Sequence, residues 1–356
     1  MKHQVVQFDQ QAEHIEAFLS LPAKLYKANE LTQNRSDEEA LLLGRHPLSN
    51  YFKLVPFLVY EGKNPVARVA LTIHEGDSTC FIGFFEGFNN PVAVKALFKA
   101  ADKYAKAAGC TKIVGPVNGS FWMTYRLKTN HFDLPPYFGE PYNKLYYLDL
   151  FQQSGYSITH EYISNYYKRS IKLSELAKYN QRYRRSKKKN YKIISPKRHQ
   201  KVEALSQVYE LFTALYSGFP AYKKISKDDF LTYFDRLWPL IDLSVFKIAY
   251  YKGQPVGFLV GFPDFGNLLA RRPSRYVKIR LALKKIRSRR YVMLYMGVLD
   301  EHRGLGRALV RATIAGGLWK NSTYIGALIA KNKATESYSK DSVAKQSSYA
   351  LLEKRL

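Results

Sequence analysis

The chain has 356 residues, 46% of them hydrophobic, with 56 Lys plus Arg against 29 Asp plus Glu for a formal charge of +27. That length accommodates two domains with separate cores, and the apolar content excludes a disordered polyelectrolyte. The charge fits attraction to a polyanion, for which CoA, nucleic acid and anionic lipid headgroups all qualify, or a solvated basic surface around a small-molecule site.

Residues 1–50 read as helical, with breaks at Pro22 and Pro47. The opening MKHQVVQFDQQAEHIEAF lacks an apolar signal core, and no run of about 18 apolar residues follows, so a cytoplasmic protein is expected. FKLVPFLVY and PVARVALTI flank Glu61-Gly62-Lys63-Asn64 and predict a hairpin. TCFIGFF makes a third strand, Pro91 opens a helix that Gly109 ends, and TKIVGPVN makes a fourth. A basic segment, residues 169–200, follows and contains RYRRSKKKNYK at 182–192.

The second half repeats this order. VFKIAYY and PVGFLVGF around Lys252-Gly253-Gln254 restate the hairpin at an offset of 190 residues. CFIGFFEGFNN answers VMLYMGVLDEH at an offset near 212, and IVGPVN answers ALIAKN at about 214. One insertion within about 263–290 accounts for the growth in offset. The expected organisation is therefore an internal duplication of a mixed α/β unit, 1–168 and 201–356, with a basic helical insert at 270–290. Within that insert RYVKIRLALKKIRSRR (275–290) puts Val277, Leu281 and Ala282/Leu283 near one face and cations on the other. That is the profile of an interfacial helix or of a cover helix with a solvated basic face.

The richest stretch is Tyr291–Gly317. A nine-residue apolar run reads as a buried strand, DEHRGLGRA as a glycine loop, and LVRATIAGG as a helix. Gly304 and Gly306 allow close backbone approach, and the loop would aim free amides at an anion on the helix N-terminus. It matches neither GxGxxG nor GxxxxGK[ST], which argues against dinucleotide and P-loop folds. In the first half the corresponding loop is Glu86-Gly87-Phe88-Asn89-Asn90-Pro91, without the Arg and the second small residue, so that copy is expected to have lost the cradle.

Arg303-x-x-Gly306-x-Ala308 resembles the acyl-CoA loop of the GCN5-related N-acetyltransferase (GNAT) superfamily. GPVNGSFWMTYRL, PPYFGEPYNKLYYLDLFQQSGY and Pro263-Asp264-x-x-Asn267 extend the resemblance to a group of bacterial tandem acetyltransferase-like proteins, covering roughly Tyr51 to the C-terminus. The resemblance implies two tandem GNAT-like domains, the N-terminal one degenerate. It also implies a co-substrate, acetyl-CoA or another acyl-CoA, and direct attack of an amine or hydroxyl acceptor on the thioester. Met296, Gly297 and Val298 would hold pantetheine and the thioester oxyanion, and Arg303, Gly304, Leu305, Gly306, Arg307 and Ala308 the pyrophosphate. Asn332 would contact pantetheine, and Tyr338 would protonate the departing thiolate, although a core-filling role suits a chain with 28 tyrosines equally.

No carboxylate lies on the strand from Tyr291 to Leu299, so a bound water or a low-pKa amine would have to serve as base. Trp122, Tyr125, Glu140 and Asn143, in an aromatic-rich part of the first half, are candidates for the acceptor site. Asp264 and Asn267 are candidates to face the same cleft. Segments 182–192 and 275–290 would meet an anionic membrane surface at the inner face, or nucleic acid, if they bind a macromolecule. Two further readings compete: an aminoacyl-tRNA-dependent transferase like the Fem enzymes, which are also tandem copies of this fold, and a CoA- or polyanion-binding protein without catalysis. Cys80 and Cys110 read as buried thiols in a reducing compartment. HExxH, CxxC and GxSxG are absent, so neither a metal nor a serine nucleophile is expected.

Overall fold

A computed structural model describes residues 3–169, 172–271, 274–315 and 322–356. The first half runs β1 (His3–Gln7), α1 (Ala12–Leu25), α2 (Arg35–Leu42), β2 (Lys53–Glu61), β3 (Asn64–Ile73), β4 (Thr79–Gly87), α3 (Pro91–Ala107), β5 (Lys112–Gly115), β6 (Leu127–Lys128), α4 (Tyr147–Gln153) and β7 (Ser157–Tyr167). The second runs α5 (Leu173–Lys188), β8 (Tyr191–Ile194), α6 (Lys201–Tyr216), α7 (Lys227–Asp235), β9 (Lys247–Tyr251), β10 (Gln254–Pro263), α8 (Arg275–Arg287), β11 (Arg290–Val298), α9 (Gly306–Ala315), β12 (Thr323–Ala330) and β13 (Val343–Arg355).

The expected duplication is visible residue by residue in the sheet. The hairpin closing on Glu61↔Asn64 recurs at Tyr251↔Gln254, both members displaced by 190. The parallel pair Cys80↔Ile113 recurs at Val292↔Ile325, both displaced by 212, which corrects the offset of 214 read for the latter strand. The insertion between β10 and β11 contains α8.

Three expectations for local structure change. Residues 3–7 form an edge strand paired to β2 and not a helix. Pro22 lies inside α1, which continues to Leu25. β11 is largely half-buried and not buried throughout, because one edge faces a cleft.

The two halves share one mixed sheet, ordered β1-β2-β3-β4-β5-β13-β7-β12-β11-β10-β9-β8, with β6 pairing β13. The last strand of each half has crossed into the other. β13 from the end of the chain lies against β5, and β7 from the first half lies against β12. β7 and β13 pair with each other from Val343↔Tyr167 to Glu353↔Ser157. Cores form on both faces: α3 and α4 cover Val69, Leu71, Ile82 and Phe85, while α6 and α7 pack an aromatic layer of Phe212, Phe230 and Phe258 against Phe121 and Trp122. Cys80 and Cys110 are free and buried. Among the described residues no helix is long and apolar enough to cross a membrane.

Candidate active site

β11 and β12 pair from Arg290↔Thr323 to Met293↔Gly326 and then diverge. β12 bulges between Gly326 and Ile329, with Leu328 at φ 55°, and re-pairs with β7 at Ile329↔Ile163. Ser164 Oγ accepts the Leu328 N–H at 2.9 Å, which fixes the departure. A second irregularity, opposite Val260/Gly261, bends β11 away from the other side. Paired bulges next to a parting of strands re-aim backbone groups.

Beyond Met293, β11 is held by β10 alone. Leu299 N–H donates to Val256 O at 3.0 Å, so strand alternation turns the amides of Met296 and Val298 the other way, into the gap. The Met296 carbonyl faces the same side and accepts the Tyr216 hydroxyl at 3.0 Å. Gly297 packs closely under α6, where a Cβ would lie 2.5 Å from Leu215 Cδ1 and the leucine would have to shift.

The gap leads to the loop. After a short turn, Asp300–His302, Gly304 takes φ 95° and α9 begins at Gly306. The amides of Gly306, Arg307 and Ala308 have no carbonyl within the helix to meet, and the macrodipole favours an anion there. Leu305 and Ala308 are buried against Ala249, Val256 and Leu259, so they anchor the loop while its backbone stays outward.

Three arginines gather around it. Arg182, from the basic run on α5, comes within 3.4 Å of where a Gly304 Cβ would stand. The Arg307 guanidinium sits 4.9 Å over the Tyr338 ring. Arg303 pairs with Asp300 at 3.1 Å, but both side chains are more than 80% exposed, so the pair holds Arg303 only weakly. In the sequence Arg182 belongs to the polybasic run 182–192, and nothing local to α5 distinguishes it from its neighbours.

Tyr338 lies at the same place. A Cβ on Gly306 would be 2.5 Å from its hydroxyl, so the phenol rests on the start of α9. Burial raises its pKa, against the opposing pull of Arg307 and Arg182. Its carbonyl accepts the Tyr167 hydroxyl at 3.0 Å. Asn332 lines the cleft in the turn after β12, at φ 67°, with its backbone N–H donating to Glu336 Oε2 at 2.8 Å.

The equivalent gap in the first half is filled. After β5 the chain folds back, Val117 N–H donating to Ile82 O at 2.8 Å and Asn118 Oδ1 accepting the Phe84 N–H at 2.7 Å. No side chain fits on Gly83, whose Cβ would overlap the Val117 carbonyl. At the start of α3, the Asn90 side chain takes the Ala93 amide at 3.1 Å and Pro91 supplies none. Two of the three first-turn amides of α3 are thus taken or missing, and the strand gap beside them is closed, which is a physical basis for the degeneracy.

A cleft of about 960 Å³ runs from the second-half loop into the first half. Trp122 and Tyr125 line it. Trp122 is fixed by its indole N–H to Lys223 O at 2.6 Å, and Tyr125 lies under Arg126, whose guanidinium is 3.8 Å from the ring centroid. Asn143 also lines the cleft, but its amide group is occupied by Lys128 N–H at 2.7 Å and by the Lys128 and Lys144 carbonyls. Glu140 is not brought to the cleft. Its side chain is fully buried, bonded to Lys128 Nζ at 2.8 Å, Tyr349 OH at 2.5 Å and Tyr137 N–H at 3.2 Å, and it ties β6 to β13. Asp264 supports the wall, accepting Phe138 N–H at 3.0 Å, and Asn267 bonds Ala28 O and Leu31 O across the halves.

The far end of the cleft holds a carboxylate that sequence reasoning missed. Glu86 is buried among Arg68, Tyr147 and Gln33, and accepts the Tyr147 hydroxyl at 2.7 Å. Burial pushes its pKa up to about 7, against the pull of Arg68, which is itself committed to Glu38 at 2.7 and 3.1 Å. Among the described residues no group of acidic, His or Cys side chains is placed to hold a metal.

Comparison with solved structures decides the architecture. A tandem GNAT protein from the clavulanic acid biosynthesis pathway superposes over 99% of this chain and 98% of its own, with a TM-score of 0.54 at 12% identity. The fold is a tandem GNAT fold. A probable N-acyltransferase of unknown function from Enterococcus faecalis V583 covers 100% of this chain and 73% of its own, with a TM-score of 0.53 at 10% identity. A GCN5-related N-acetyltransferase from Sphaerobacter thermophilus covers 99% and 95%, at 0.50 and 11%. At such identities the likeness is one of fold. In sequence, Protein YghO of Escherichia coli (strain K12) is 23% identical over 304 residues, spanning 81% of this chain and 77% of its own. No family model matches. In the GNAT fold described here, the parted strands, the loop and the start of α9 all belong to the second copy.

Proposed function

We propose that the protein is an acyl-CoA-dependent acyltransferase, moving an acyl group from CoA to an amine or hydroxyl acceptor by direct attack. The observation that carries this is the continuity of three features in one half: the gap between β11 and β12, the amides of Met296 and Val298 facing it, and the start of α9 at Gly306 beside Arg182, Arg303 and Arg307. These suit an extended donor with an amide-rich arm and a phosphorylated end. A thioester in the gap would find the Val298 or Met296 amide as an oxyanion donor. The acceptor would enter from the first-half side of the cleft, past Trp122 and Tyr125.

Tyr338 belongs, in this reading, to donor binding: its hydroxyl stands at the α9 N-terminus, among the groups that would meet phosphate. A second reading, donor binding without turnover, is favoured by the absence of a carboxylate on β11. The two separate in a thiol-release assay with acetyl-CoA and longer acyl-CoAs over a panel of amines and alcohols. Acceptor-dependent CoA release supports transfer; saturable binding with no release above the no-acceptor rate would leave the binding reading. A Fem-like mechanism would show instead as stabilisation by aminoacyl-tRNA and not by CoA esters.

A further inference from the structure

We propose that α8 docks the protein on an anionic membrane surface. The helix carries Tyr276, Ile279, Leu283 and Ile286, which are 65%, 50%, 45% and 81% exposed. Their spacing of three, four and three residues places them on one stripe. The opposite side does the packing: Val277 is buried, Leu281 joins the aromatic core, and Lys284 donates to Asp264 O at 3.1 Å. Leu283 therefore does not share the packed face that the sequence pattern gave it. The other large exposed apolar side chains are spread over separate elements, which is ordinary for a protein surface.

Charge complementarity selects the occupant. The helix RYVKIRLALKKIR holds six cations and no acid, and Ser288-Arg289-Arg290 continues the basic character. Arg280 and Arg287 flank the stripe on one side, and Arg275 and Lys278 lie on the other. Arg280 also covers the Tyr276 ring at 5.5 Å. Cations bordering an aliphatic and tyrosine stripe match a layer with phosphate at its surface and acyl chains beneath. A nucleic acid would use the cations and leave Ile279, Leu283 and Ile286 in water. A second copy would bring the four cations that border the stripe, Arg275, Lys278, Arg280 and Arg287, to face the same four. The helix is too short to cross a bilayer, so it would lie in the interface.

The test uses the full chain in flotation with vesicles of phosphatidylglycerol and phosphatidylcholine, beside pure phosphatidylcholine. The wild type is expected to float with the mixed vesicles only and to be released by salt. Ile279→Asp with Ile286→Asp should weaken binding by about tenfold or more, and Lys278→Glu with Arg287→Glu similarly. All four positions are exposed, so unchanged melting temperatures are expected. Ile279→Ser with Ile286→Ser serves as the milder pair, should the aspartates disturb folding. No flotation with mixed vesicles would overturn the proposal, as would flotation indifferent to the apolar changes. So would tRNA binding that accounts for the same cations without lipid, or a dimer that the aspartates dissolve.

Discussion

Tyr338 and Gly306 illustrate how one residue fixes the meaning of another. The hydroxyl rests where a Gly306 side chain would have to go, at the end of the site suited to phosphate. Tyr338→Phe should therefore raise KM for the acyl-CoA and leave kcat within about twofold, while a kcat loss of about a hundredfold would return the residue to proton transfer at the thiolate. Glu86 makes a pH prediction. In the folded protein it keeps its proton to about pH 7, whereas an ordinary Glu loses it near 4.5. Between those values the unfolded chain holds fewer protons, so this residue makes stability fall as pH rises. Glu86→Gln should flatten the decline in thermal melts from pH 4.5 to 7, and an unchanged slope would refute the burial argument. Glu140→Ala should cost about 3–5 kcal/mol in denaturant unfolding, because it strands buried Lys128; a loss of acceptor affinity at unchanged stability would instead restore Glu140 to the substrate site. Glycines and the Arg-x-x-Gly-x-Ala pattern were legible in the sequence because loop chemistry is local. Arg182, Glu86 and the fate of Glu140 were not, since each is decided by groups distant in the chain: Gly304 for Arg182, Tyr147 for Glu86, and Lys128 and Tyr349 for Glu140.

Elements were legible to the degree that periodicity decides them. The hairpins, α3 and the strand–loop–helix of β11 and α9 follow from apolar runs ended by glycine or proline. The loss of the site in the first copy was legible from its loop, but its mechanism was not. Nothing in IVGPVN announces that Val117 and Asn118 will close the gap between β4 and β5. α8 was recognised as a basic amphipathic helix, yet its faces were exchanged in part: the pattern gives a moment, and packing decides which side of it is covered.

At the scale of the molecule, the repeat in the sequence and the strands of the sheet divide the chain differently. β13 completes the first half beside β5, and β7 completes the second beside β12. Strand pairing between residues 176 to 196 apart, as in β13 and β7, leaves no mark on local composition. The exchange predicts one cooperative transition for the whole chain. Ending the chain at Ser342 should abolish it in circular-dichroism melts, because the first half loses an inner strand; a surviving cooperative transition would show that residues up to β7 are self-sufficient. The exchange also bears on function, since Ser164 of β7 holds Leu328 where β12 departs from β11. The first half thereby shapes the gap between β11 and β12 in the second.

The most direct test of the donor site is thermal unfolding of the wild type and Gly306→Glu with acetyl-CoA, longer acyl-CoAs, free CoA and tRNA. At 100 times its dissociation constant a ligand adds about 2.7 kcal/mol to stability. CoA esters should stabilise the wild type and leave Gly306→Glu unmoved, since the new side chain meets Tyr338 and places an anion at the α9 N-terminus. Equal stabilisation of both proteins, or a response to tRNA alone, would contradict the account.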